Sequence, residues 1–142
     1  MKNILVTGAS GFIGQKLCSK FIELNWPVRG TVRNTDSLSI DSDFKITSVG
    51  DIGPETNWRD SLEKIDCIIH CAGKAHEMDK KKDLDFYRVV NIEGTKRLAE
   101  QAANAGIKRL VFLSSIKVNG ESKGKVDEEY IFTDNDMPDP QD

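Results

Sequence analysis

The stretch Thr7-Gly8-Ala9-Ser10-Gly11-Phe12-Ile13-Gly14 constrains this chain more than any other part of it. It joins a short β-branched, apolar run, Asn3 to Thr7, to the segment Phe12 to Leu24, where Phe12, Ile13, Leu17, Phe21 and Leu24 recur at helical spacing. Strand, glycine-rich turn and helix are therefore expected in that order. Each glycine has its own use: Gly8 permits a tight turn, Gly11 lets a bound group approach backbone with no Cβ in the way, and Gly14 lets the helix pack close to the sheet. Unpaired N–H groups and the dipole at a helix start favour an anion, so Ser10, Gly11, Phe12 and Ile13 are placed to meet a pyrophosphate.

The rest of the chain repeats the alternation. Pro27 to Val32, Lys45 to Val49 and Cys67 to His70 read as strands, the last preceded by a short helical stretch from Trp58 to Lys64. Asp83 to Ala105 is the longest helical pattern, with Tyr87, Val90, Leu98, Ala102 and Ala105 on one side and Gly106 as its stop. Arg109 to Leu113 is apolar without a break after its first residue, which predicts a strand buried on both faces. Strands alternating with helices predict an α/β fold, a Rossmann-like doubly wound parallel sheet in three α/β/α layers, with ligands gathering at the carboxyl ends of the strands. On this pattern residues 1–120 form one dinucleotide-binding domain, and 121–142, which has no apolar period, is expected to be loop, partly disordered if nothing follows it.

Composition narrows the partners. A net charge of -3 lacks the basic excess that nucleic acid favours, and no apolar run approaches the roughly 20 residues of a membrane span, so neither nucleic acid nor membrane is an expected partner. With no signal-peptide core after Met1, a cytoplasmic address is expected. Cys18, Cys67 and Cys71 are an odd set for a disulfide framework. On a strand, Cys67 and Cys71 would stand about 13 Å apart, too far for one disulfide or one zinc, so buried, inert thiols and no metal are expected.

The glycine spacing Gly-x-x-Gly-x-x-Gly resembles that of the extended short-chain dehydrogenase/reductase family of sugar-nucleotide epimerases, dehydratases and reductases. Four further stretches match in order: Gly50-Asp51-Ile52, His70-Cys71-Ala72-Gly73, Asn91-Ile92-Glu93-Gly94-Thr95 and Ser114-Ser115. The resemblance implies that Asp51 and Ile52 flank an adenine, with the Asp51 carboxylate accepting from its amino group; a turn or cap aspartate is the alternative. It implies that Cys71, Ala72 and Gly73 bring backbone near the pyrophosphate and the nicotinamide-side ribose. Asn91 would be the polar anchor of the active-site floor, or else a solvent-facing asparagine. Ser115 would be the catalytic hydroxyl that hydrogen-bonds the reacting sugar oxygen, or else a strand-end cap, with Ser114 beside it contacting cofactor or backbone. The second predicted strand ends Thr31-Val32-Arg33-Asn34, where Arg33 could hold a 2′-phosphate, so the cofactor is NAD(P) with NADP favoured; a solvated surface charge is the alternative.

Two departures qualify the resemblance. Val118-Asn119-Gly120 stands where most members carry Val-Tyr-Gly, and the run from Ser114 to Glu121 looks more like the bacterial surface-polysaccharide branch, whose members act at C4 of UDP-N-acetylated hexosamines. The family's Tyr-x-x-x-Lys has no counterpart, since Tyr87 is followed four places on by Asn91 and Tyr130 by Asp134. The expectation is therefore the cofactor-binding fragment of an NAD(P)-dependent epimerase, dehydratase or 4-ketoreductase acting at C4 of a UDP-sugar, itself inactive, with a nucleotide sugar and a homodimer as the parent's partners. A non-catalytic NAD(P) sensor of the same fold is the other reading.

Overall fold

A computed structural model describes residues 2–35, 44–74 and 84–115. The chain divides into two compact units, Met1–Phe112 and Leu113–Asp142, and only Leu113 to Ser115 of the second are described. The expected tail 121–142 and the Val118-Asn119-Gly120 segment lie outside the described residues.

In the first unit, β1 (Ile4–Thr7), β2 (Val28–Val32), β3 (Lys45–Ser48), β4 (Cys67–His70) and β5 (Arg109–Phe112) form one sheet in the order β3-β2-β1-β4-β5. Every pairing is parallel, with Ile4 opposite Val28 on one side and Cys67 on the other. The strand order reverses at β1, where the chain crosses first to one side and then to the other, and in such sheets the crevice for ligands opens at that point. The strands alternate their side chains between two cores. Leu5 and Ile68 join Trp58, Leu62, Leu98 and Ala102 on one face, while Ile4, Val6 and Val32 join Ala9 and Cys18 on the other. Full burial of an aliphatic side chain such as Leu98 is worth roughly 1.5–3 kcal/mol.

The helices supply the outer layers. α1 (Phe12–Glu23) covers the Cys18 core, and α4 (Thr95–Asn104) covers the other. Both long helices end in the same way. Asn25 (φ 55) and Gly106 (φ +74) take left-handed backbone, and Trp26 and Ile107 donate their N–H groups back to Phe21 O and Ala102 O. At the first of these ends Phe21 and Trp26 stack with ring centroids 5.7 Å apart, the apolar contact that seals such a terminus.

Several expectations are corrected. The stripe α1 turns inward is Gly14, Cys18 and half-buried Leu17 and Phe21; Phe12 is 85% exposed, and Ile13 and Leu24 are exposed too. The short helix α2 is only Arg59–Leu62. The long helical pattern is three pieces, α3 (Leu84–Tyr87), a π-helical stretch Arg88–Gly94 and α4, and Ala105 faces solvent rather than the core. β5 is not buried on both faces: Val111 and Phe112 are 43% and 52% exposed, because among the described residues β5 pairs with β4 alone. Of the thiols only Cys18 is buried; Cys67 and Cys71 are half-buried. Among the described residues no helix is long and apolar enough to cross a membrane.

Candidate functional site

A cleft of about 570 Å³ opens over the carboxyl ends of β1, β2, β3 and β4. Of the residues singled out in the sequence, Gly8, Ser10, Gly11, Arg33, Asp51, Ile52, Cys71, Ala72 and Gly73 line it. Phe12 and Ile13 lie outside it at the exposed start of α1, and Gly14 is buried behind the turn. Asn91 stands behind the loop that follows β4. Ser114 and Ser115 belong to the second unit.

The glycine turn is wound around a single carbonyl. Gly8 (φ +67) uses the left-handed backbone that favours glycine, and its oxygen accepts the Gly11 N–H at 2.9 Å. A Cβ on Gly14 would lie 2.1 Å from that same oxygen, so the close approach Gly14 permits is to the turn itself. Ala9 N–H donates to Thr31 O at 2.9 Å and ties the turn to β2. Gln15 N–H is the first to bond back within the helix, onto Gly11 O, and the N–H groups before it have no helical partner. α1 has neither a side-chain cap nor an acidic residue in its first turn, which leaves its positive end to an outside anion.

The β2 and β3 ends meet across the other half of the cleft. Arg33 Nε pairs with Asp51 Oδ1 at 2.9 Å, both side chains about three-quarters exposed, a setting in which an ion pair contributes little to stability. Thr31 lines the same wall, is buried, and its Oγ1 has no hydrogen-bond partner among the described residues. A buried polar atom left unpaired is uncommon in a folded protein, and Trp58 Nε1 and Arg97 Nε share that state away from the cleft. Ile52 rests against the π-helical stretch, where a Cβ on Gly94 would come 2.4 Å from Ile52 Cγ2.

The loop after β4 closes the floor. Asn91 Oδ1 accepts the Lys74 N–H at 2.8 Å and its Nδ2 donates to Lys74 O at 2.9 Å, so the asparagine grips backbone and does not face solvent. π-helical turns are rare and concentrate at functional positions, and Asn91 sits in one. Burial pushes the Cys71 thiol up, and burial followed by the nearby Cys71 pushes Cys18 up to about 12, so both are held as thiols. Among the described residues no group of acidic, histidine and cysteine side chains could hold a metal.

Sequence reasoning missed Thr31, Asn34, Lys74 and Phe86 in the lining. Thr31 and Asn34 lie within two residues of Arg33 in the chain, and that nearness was the available signal. Lys74 Nζ lies 4.5 Å from the Phe86 ring centroid, a pairing that no local pattern announces. A turn opened by Gly8 and Gly11 and an uncapped helix start at one end of a polar cleft give chemistry suited to an anionic group.

Several known proteins resemble this chain. The chain is 41% identical over 123 residues to the UDP-glucose 4-epimerase of Vibrio cholerae, covering 84% of this chain and 37% of that protein. It is 32% identical over 139 residues to the 3-beta-hydroxysteroid dehydrogenase of Mycolicibacterium neoaurum, covering 92% and 37%. Among solved structures, MoeE5 in complex with UDP-glucose and NAD has a TM-score of 0.77 at 27% identity, over 97% of this chain and 42% of that one. The chain thus spans well under half the length of these relatives. Residues 4–139 match the NAD dependent epimerase/dehydratase family, and with that match running almost from end to end over the expected parallel sheet, the chain belongs to this family.

Proposed function

We propose that this chain is the dinucleotide-binding part of an NAD(P)-dependent enzyme that epimerises, dehydrates or reduces a UDP-sugar at C4. The observation that carries the reading is the cleft at the strand ends, where Gly8 and Gly11 leave backbone open beside the unpaired start of α1. In this reading Gly8, Ser10 and Gly11 hold the pyrophosphate, with Phe12, Ile13 and Gly14 forming the helix start behind them. Asp51 and Ile52 flank the adenine, and Cys71, Ala72 and Gly73 lie along the nicotinamide-side ribose on a loop that Asn91 secures. When bound, the nicotinamide supplies the hydride acceptor and donor. Ser115 donates a hydrogen bond to the sugar oxygen, and Ser114 contacts cofactor or backbone. Neither tyrosine has a lysine four places on, so the proposal puts the proton-passing pair outside these 142 residues. A cytoplasmic site of action and a role in surface-polysaccharide synthesis go with this reading.

Arg33 selects the cofactor in the same proposal. Its pairing with Asp51 is made through Nε, and in this reading the two terminal nitrogens take the 2′-phosphate. Calorimetric titration is expected to give NADP⁺ about tenfold tighter than NAD⁺, with the difference lost in Arg33→Ala. Tighter NAD⁺, or NADP⁺ affinity unchanged in Arg33→Ala, contradicts the assignment.

The substrate class is tested on the protein carrying the tyrosine and lysine. Nicotinamide absorbance is expected to change with UDP-hexoses or UDP-N-acetylhexosamines and not with a 3β-hydroxysteroid, and Ser115→Ala should slow turnover about 10² to 10⁴-fold. Turnover of the steroid alone transfers the reading to the dehydrogenase relative. Binding without turnover of any of them favours the sensor.

A further inference from the structure

A buried line of hydrogen bonds runs behind the cleft floor. His70, the last residue of β4, is 1% exposed; its Nδ1 lies 2.6 Å from Thr7 Oγ1 and its Nε2 lies 3.0 Å from Thr95 Oγ1. Thr7, at the end of β1, is also fully buried, and its Oγ1 accepts the Ala72 N–H at 3.2 Å. The network fixes the ring's tautomer. With Nδ1 bare, the Thr7 hydroxyl donates to it and keeps a lone pair for Ala72, while Nε2–H donates to Thr95. The opposite tautomer would bring two N–H groups to Thr7 Oγ1 and leave its own buried proton without His70 as acceptor, an unfavourable arrangement.

The same helix reaches the same loop twice. Thr95 opens α4 four residues after Asn91, and Asn91 holds both backbone groups of Lys74. Ala72, Gly73 and Lys74 are thus fastened at one end by Asn91 and at the other through Thr95, His70 and Thr7. Ala72 is also the backbone against which the glycine turn rests: a Cβ on Gly8 would come within 2.9 Å of Ala72 N and Cα. Gly8 and Ala72 both line the cleft, so where Ala72 is held decides how wide its floor is.

We infer that His70 is a positioning residue for dinucleotide binding: it keeps the Thr7 hydroxyl as acceptor for the Ala72 N–H and so sets how the β4 loop packs on the glycine turn, the shared floor over which a phosphate–ribose segment would lie. The inference rests on the dinucleotide reading of the cleft. His70 acts through Thr7. Phenylalanine keeps a ring against Phe112, whose centroid lies 5.8 Å from that of His70, but is the larger side chain, so its effect is read beside Thr7→Val and Thr7→Ser, which leave the ring in place.

Calorimetric titration with NAD⁺ and NADP⁺, together with hydrogen exchange at the Ala72 amide, tests the inference. His70→Phe is expected to weaken the better-bound dinucleotide about tenfold and to speed Ala72 exchange by a similar factor, the size set by loss of one to two buried hydrogen bonds. Thr7→Val should do the same by removing the acceptor. His70→Asn, whose Oδ1 falls near the place of Nδ1, should recover most of the affinity lost in His70→Phe, and Thr7→Ser most of that lost in Thr7→Val. If His70→Phe does not fold, the contrast of Thr7→Val with Thr7→Ser decides. Unchanged affinity and unchanged Ala72 exchange in the folded variants overturn the inference alone. A wild-type protein that binds neither dinucleotide overturns it together with the cofactor reading.

Discussion

Gly14→Ala is expected to destabilise the fold by about 3 kcal/mol and to remove dinucleotide binding with it. The added methyl would lie 2.1 Å from Gly8 O, 2.8 Å from Gly8 C and 3.0 Å from Ala9 Cα, and every one of these neighbours is backbone. No rotamer change relieves such a clash, so α1 must lift away from the turn and from the Cys18 core. Gly11 behaves differently. It is extended (φ -77, ψ 166), a conformation open to any residue, and its Cβ would meet only Gly8 O at 3.2 Å. Gly11→Val should therefore keep most of the wild-type stability while losing dinucleotide affinity, because the side chain projects where a phosphate would lie. Urea unfolding and calorimetry on the two variants separate these effects. An unchanged midpoint for Gly14→Ala, or undiminished affinity for Gly11→Val, would show that the turn is not the tight cradle described.

Acid should weaken this protein earlier than its carboxylates alone would dictate. Burial lowers His70 from its ordinary 6.5 to about 4, so the folded chain refuses a proton that the unfolded chain accepts. The unfolded state then binds more protons between those two values. Stability from this source is complete above pH 6.5 and is lost as the pH falls toward 4, by up to about 3 kcal/mol. The measurement is a difference: unfolding free energies of wild type and His70→Gln from pH 7 to pH 4, in which the common carboxylate contribution cancels. The gap between the two proteins should shrink as the pH falls. Parallel curves would mean that His70 is not held neutral by burial.

What the sequence revealed and concealed follows from how local each feature is. β4 was read with its true limits, Cys67–His70, because an apolar run bounded by polar residues is a property of neighbours in the chain. The α1 limits were nearly as plain, yet its inward face was not. Phe12 looks like core by composition but stands at the helix start, beside the cleft and away from the sheet, whereas Gly14 and Cys18 face inward. The π-helical stretch left no trace in the apolar period, since the extra residue per turn belongs to packing: Gly94 lies against Ile52, and Asn91 reaches Lys74. β5 misled for a similar reason, as an unbroken apolar run does not say whether a strand is central or at an edge. His70 was noticed as part of a motif, but its partners are 63 and 25 residues away. Arg33 and Asp51 were each singled out, and only the fold joins them.

The central place of β1 also sets a timetable for making the molecule. All four of its residues end up buried, yet they are made before either of the strands that flank them. β2 follows soon, pairing Val28 with Ile4, but the other flank waits for Cys67, which is 63 residues further along. At roughly 5–20 residues per second, that interval is about 3 to 13 seconds. Throughout it the nascent chain carries an apolar strand with at least one row of backbone donors and acceptors unmet, the kind of edge on which chains cross-pair. Slower synthesis between Val28 and Cys67 is therefore expected to lower the share of newly made protein that reaches the native sheet, and a chaperone holding the early segment to raise it.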